Sequence, residues 1–436
     1  MPSFRDLVVS GVILGLLPVV LRRPEVGILL WTWIGLMNPH KMAWGFARDI
    51  PWAFIVAVVT IIAIVISREP KRVPLKLPIA LQLVFVFWMT LTTLLFSLYP
   101  DLAWEKLDKV LKIHFVLILT LMMMQSERRI RLLVLVGTLS IAFFGIKGGI
   151  YTIAKGGGGM VLGPDGGFIS GNTEIALALT TTLPLMYWLR LQTSKVWLRR
   201  AATISMFLIA VSILGSYSRG GLLALAAMSL FLIFKSRRKF VLTVGYVAFA
   251  ALFFSFMPAE WHEKMQTIEG YKEDTSAMSR LGAWKFAWEF TKAHPIGGGG
   301  FDTFQKEQYD KYAPEERAFD PHSIWFQIMA EQGFVGLGLY LLYWFAAWLA
   351  AARVIRLCRK RADLLWARDL AAMIQVSFVG FWVGGSFLGL AYWDYPYLLV
   401  TIVVLTLVVV QRQLHGEKAK QPQQAVVVPG YGLQGR

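Results

Sequence analysis

The sequence predicts an all-α polytopic membrane protein, with about twelve transmembrane helices and one large loop on the outside. Three observations carry that expectation. Hydrophobic residues fill 56% of the 436 positions and charged residues only 16%, against about 25% charge in a soluble domain. The apolar positions fall into long runs near the roughly 20 residues that span a bilayer. Between these runs the basic residues cluster, which is the positive-inside pattern that orients membrane proteins.

The apolar runs cover 7–21, 25–38, 52–67, 78–98, 106–124, 132–154, 173–190, 202–217, 220–234, 240–257, 333–355, 368–390 and 395–411. The first two are separated only by Arg22, Arg23 and Pro24. They read equally as two spans, one broken crossing or a partly re-entrant hairpin. Two crossings would put the N-terminus outside. No small-residue cleavage site follows the first run, so the segment reads as retained. Basic clusters lie at Arg68, Lys71 and Arg72; at Arg128, Arg129 and Arg131; at Lys195, Arg199 and Arg200; at Lys235 to Lys239; and at Arg356 to Arg361. The net charge of +17 therefore reads as topology rather than as a nucleic-acid surface. The single cysteine, Cys358, excludes an intramolecular disulfide and a Cys-rich metal site.

These clusters put 39–51, 155–172, 258–332 and the turn near 391–394 outside. Four regions result: N-terminal transmembrane helices (1–257), a large loop (258–332), C-terminal transmembrane helices (333–411) and a polar, cytoplasmic, largely disordered tail (412–436). Residues 258–322 hold twelve acidic and eight basic side chains, a net of −4, as expected of translocated sequence. Within the loop, 279–292 reads as an amphipathic helix. Leu281, Trp284 and Trp288 form a stripe, and Ala283, Phe286, Ala287 and Phe290 widen the apolar side. The run Pro295-Ile296-Gly297-Gly298-Gly299-Gly300 marks a loop. Another helix begins at 323–332. The segment 155–172 is glycine-rich and reads as a connector or as backbone brought close to a ligand.

Ionisable residues near membrane depth are costly and are candidates for function. Arg219, in Ser218-Arg219-Gly220, lies at the outer end of a tight hairpin, against the charge bias. It reads as an anion ligand or as an arginine snorkelling to lipid phosphates. Arg280 opens the loop helix, on its broad apolar side. It can bind phosphate bidentately or pair on the surface with Glu273 or Asp274. His322, in Pro321-His322-Ser323, stands where the loop meets the next span, and is a general base or a helix cap. Ser323, Gln327 and Glu331 follow at four-residue spacing, giving that helix a polar face. Lys147, in the outer half of a span, and Asn172 and Glu174, where the glycine-rich loop re-enters, are interfacial residues or substrate ligands. No D-x-D or E-x-D pair, Walker A loop, G-x-S-x-G elbow or H-E-x-x-H site occurs.

In order along the chain, Ser218-Arg219-Gly220, Ser279-Arg280 with Trp284, and Pro321-His322-Ser323 with Glu331, Gly333 and Gly336 resemble the O-antigen ligase family of bacterial inner-membrane glycosyltransferases. The stretch Met37-Asn38-Pro39-His40-Lys41-Met42-Ala43-Trp44-Gly45-Phe46-Ala47 resembles a subgroup of O-glycosylation ligases. The resemblance covers nearly the whole chain. It implies a GT-C type fold in the inner membrane, with the active site facing the periplasm. It also implies a metal-independent reaction without cofactor, in which a glycan passes from undecaprenyl diphosphate to a hydroxyl of lipid A–core. His322 is then the base, with Arg219 and Arg280 on the diphosphate. Lys147, Asn172 and Glu331 would bind substrate. Related branches polymerise O-antigen or glycosylate proteins. A transporter or channel is the rival from another class.

Overall fold

The computed structural model describes residues 3–235, 239–266 and 275–420. The possible partners Glu273 and Asp274, and the tail beyond Lys420, lie outside the described residues. All the regular structure among the described residues is helical, without strands. The bundle holds α1 (Phe4–Arg22), α2 (Pro24–Met37), α3 (Trp52–Ile66), α4 (Leu77–Leu95), α5 (Pro100–Met123), α6 (Glu127–Ala154) and α7 (Asn172–Gln192). It continues with α8 (Val196–Gly215), α9 (Arg219–Lys235) and α10 (Lys239–Phe256). Three helices of the loop follow: α11 (Ala259–Gln266), α12 (Thr275–Ala293) and α13 (Lys306–Tyr312). The chain then returns through α14 (Ile324–Leu357), α15 (Leu365–Gly385) and α16 (Asp394–Lys420).

Seven of the described helices (α1, α4, α6, α8, α10, α14 and α16) are long and apolar enough to cross a membrane. The other bundle helices depart from this pattern in different ways. α2 and α3 are apolar but short. α5 carries Asp101, Glu105, Lys106, Asp108, Lys109 and Lys112 within its first 13 residues. α7 and α15 pack on each other and on α9, with much of their surface buried by protein.

The bundle has two chemically distinct ends. At one end, Arg129 pairs with Glu25 and Glu69, Arg131 bonds Gln192 and lies over Trp366, and Lys235 bonds Gln375. The expected basic clusters therefore gather at one end. At the other end, Asp6 accepts from the Gly45 and Ala47 amides at 3.2 and 3.0 Å. The start of α1 is thereby tied to the segment after α2, while Glu25, at the opposite tip, sits with Arg129. Residues 7–38 thus form two antiparallel helices running from end to end. Asn172 reaches Ser216, and Leu98 reaches Gly299, also at this second end.

α14 is broken at Gly333, whose φ of 71° and ψ of −177° are open essentially to glycine alone. The break frees backbone groups that need partners away from water. The glycine run supplies them. Gly299 N donates to Ala330 O at 3.0 Å, and Phe334 N donates to Pro295 O at 2.9 Å. The run expected as a plain loop is thus a backbone wedge that holds the start of α14 at a fixed angle.

Candidate functional site

His322 stands immediately before α14, next to Ser323 at the helix cap. Its φ is 41°, an αL conformation that histidine adopts more readily than most residues. Two contacts hold it there. The Trp284 indole donates to Pro321 O at 2.8 Å, and Tyr309 Oη donates to Phe319 O at 2.6 Å. Phe319 in turn lies against the imidazole, ring centroids 5.0 Å apart. Burial and the neighbouring Arg280 charge push the His322 pKa below its usual 6.5, with Asp320 opposing. The ring is therefore neutral near pH 7 and able to accept a proton.

Arg280 comes from α12, which packs on α14. The buried face of α12 is Ala283, Phe286, Ala287 and Phe290, set against Tyr309, Met329 and Ala330. The expected stripe is rotated away from this core: Leu281 and Trp288 are 44% and 48% exposed. Only Trp284 of the three turns inward, stacking on Phe326 at 5.0 Å. Arg280 lies one turn before Trp284 on the same side, which brings its charge to His322.

Arg219 begins α9 after a tight turn. Tyr217 takes a φ of 57°, and Ser218 Oγ accepts from Gly221 N at 3.0 Å, capping the helix as serine commonly does. Asn172 Nδ2 donates to Ser216 O at 3.0 Å, so Asn172 braces this turn. Gly220 lets Phe387 approach: a Cβ there would stand 3.3 Å from Phe387 Cβ. The Phe387 ring is 6.3 Å from Trp284. The Arg219 turn and the Trp284–His322 turn therefore flank one side chain at one end of the bundle. Glu174 stays in the first turn of α7.

Glu331 is buried. It accepts from Lys106 Nζ at 3.3 Å, from Tyr392 Oη at 2.7 Å and from Asp302 N at 3.3 Å. Lys106 also pairs with Asp302 at 2.8 Å. Beside this network lies a cavity of about 330 Å³ lined by Lys106, Phe168, Asp302, Gln327 and Tyr392. Glu331→Ala is expected to cost about 3–5 kcal/mol, because it strands buried polar partners; thermal unfolding in detergent checks it. Ser323, on the same face, is buried, and its hydroxyl has no hydrogen-bond partner among the described residues.

Lys106 is hard to recognise from sequence alone. Its only signal there is a lysine at the outer edge of an apolar run. Lys147 stands apart. It is exposed and lines a different cavity, with Arg5, Lys41 and Trp44. Among the described residues, no three His, Cys, Asp or Glu side chains are grouped as metal ligands.

Residues 4–194 match a family model described as Family of unknown function (DUF5935), and no curated protein matches the chain. Residues 204–341 match the family model described as O-Antigen ligase. That segment runs from α8 to the middle of α14, and so contains Arg219, Arg280, His322, Glu331 and the Gly333 break. The match falls on the part of the bundle that builds the site, and it supports a place for the chain in the O-antigen ligase family.

Proposed function

We propose that the protein transfers a glycan from undecaprenyl diphosphate to a hydroxyl of lipid A–core at the periplasmic face of the inner membrane. The bundle, with about twelve crossings, would present the His322 end to the periplasm and the basic end to the cytoplasm. The observation that carries this reading is the convergence of Arg280 on a neutral His322. Arg219 stands across Phe387 from them.

The chemistry follows from that placement. The acceptor oxygen attacks the anomeric carbon while the bond from that carbon to the diphosphate oxygen breaks. The leaving oxygen takes the electron pair, and fixed positive charge lowers the cost of forming it. Arg219 and Arg280 supply that charge without changing protonation at any working pH. His322 takes the proton of the attacking hydroxyl. Glu331 and Lys106 set the angle of the helix that carries His322, with Gln327 facing the adjoining cavity.

Because both stabilising charges come from the protein, transfer is expected to persist in EDTA. The assay is purified protein in lipid nanodiscs with carrier-linked glycan and lipid A–core. Loss of transfer in EDTA, restored by added metal, would overturn the metal-free mechanism. A ladder of products in place of one addition would assign the same site to polymerisation.

A further inference from the structure

A second site lies among the N-terminal helices, away from His322. A cavity of about 890 Å³ is lined by α1, α2, α6 and the loops after α2 and α6. Three cations face it: Arg5, Lys41 and Lys147. Arg5 bonds Met42 O at 3.2 Å and lies 4.6 Å above the Trp44 ring. Lys41 bonds Arg48 O at 3.2 Å. Neither bond neutralises charge. Lys147 has no hydrogen bond or ion pair among the described residues. The one carboxylate on the lining, Asp165, is exposed at the rim.

The cavity continues into an apolar groove of about 430 Å³ between α1, α2 and α6. Val12, Trp33, Met37 and Phe143 line both. One face of α6 runs the length of the pair. Leu135, Leu139 and Phe143 line the groove, and Lys147 and Tyr151 line the cavity above it. At 1.5 Å per residue, this stripe is roughly 24 Å long, comparable to one leaflet's chain and headgroup together. Leu135, Leu139 and Phe143 are partly exposed on the outer surface, so the groove opens sideways to the bilayer.

An uncompensated lysine within a span is expensive. A ligand that places an anion at Lys147 and hydrocarbon below Phe143 removes that cost. We propose that this slot binds one anionic glycerophospholipid of the surrounding bilayer. Its phosphate would lie among Lys147, Lys41 and Arg5, with a chain in the groove of α6. The lateral opening and the excess of positive charge favour this occupant. The lining shares no residue with the His322 neighbourhood, so the inference stands independently of the transfer reaction.

Native mass spectrometry of the full chain, delipidated in detergent and then titrated with phosphatidylglycerol or phosphatidylcholine, tests it. The wild type is expected to retain one phosphatidylglycerol in preference to phosphatidylcholine. Lys147→Gln is expected to weaken that binding roughly fivefold. Leu139→Trp, which fills the groove without changing charge, is expected to weaken it too. Both residues are on the surface, and an unchanged thermal midpoint shows that each variant is folded. Equal retention of the two lipids, or retention unchanged in both variants, would overturn the proposal. Full displacement of phosphatidylglycerol by a polyprenyl phosphate would assign the slot to the carrier instead, and also overturn it.

Discussion

His322→Ala is expected to slow transfer by about 10²–10⁴-fold with little change in donor binding. The imidazole is placed as a base rather than as packing. It is half-buried at the mouth of α14, in an αL backbone held by the Trp284 and Tyr309 hydrogen bonds. Its low pKa comes from burial and from Arg280. An alanine keeps the Trp284 bond to Pro321, since that bond uses only the backbone carbonyl. Because alanine fits the αL backbone less readily than histidine, His322→Asn, which tolerates it, is the companion variant that isolates the ring. The measurement is single-turnover transfer with saturating carrier-linked glycan. Wild-type rates in a folded His322→Ala protein would remove the base assignment.

Arg219→Ala and Arg280→Ala are each expected to lose about 3–4 kcal/mol of transition-state stabilisation, or roughly 10²–10³ in rate. Lysine at either position is expected to restore only part of this, because an ammonium cannot reproduce the planar two-point grip of guanidinium on phosphate. The two positions differ in a way that separates them. Arg280 also acts on His322, so its loss changes the base as well as the leaving group. Arg219 lies across Phe387, and its loss is expected to leave the pH dependence in place. Comparing kcat/KM across pH for the two variants checks both statements. A rate loss under threefold in either variant would argue for a lipid-facing or structural arginine.

Much of this architecture was legible in the sequence, and the exceptions have physical causes. Apolar runs give helix positions directly, because each helix must bury its backbone groups within itself. The sequence leaves the α1–α2 hairpin open because α2 is too short to settle the matter by length. Arg219 and His322 were found because an ionisable group at membrane depth is costly whatever its neighbours. Lys106 was missed for the opposite reason. It sits among Glu105, Asp108, Lys109 and Lys112, which form exposed pairs within one helix. Only the fold brings Asp302 and Glu331 to it from far along the chain. The apolar side of α12 is legible in Ala283, Phe286, Ala287 and Phe290, which are buried, but Leu281 and Trp288 of the stripe lie outside that core, because the two alanines rather than the tryptophan allow the close approach to α14. The glycine run after α12 reads as a loop until the break at Gly333 shows which carbonyl and amide it serves.

The central claim is that Arg280 and His322 work in one centre, and the pH profile of kcat/KM tests it most directly. A neutral base is required, so activity is present above the His322 pKa and lost as pH falls through it, below about 6.5. Removing the nearby positive charge makes protonation easier and raises that pKa. The acid limb of Arg280→Gln is therefore expected to move to higher pH than in the wild type, while Arg280→Lys keeps it in place. An acid limb that stays where it was in Arg280→Gln, beside an unchanged limb in His322→Ala, would contradict the account.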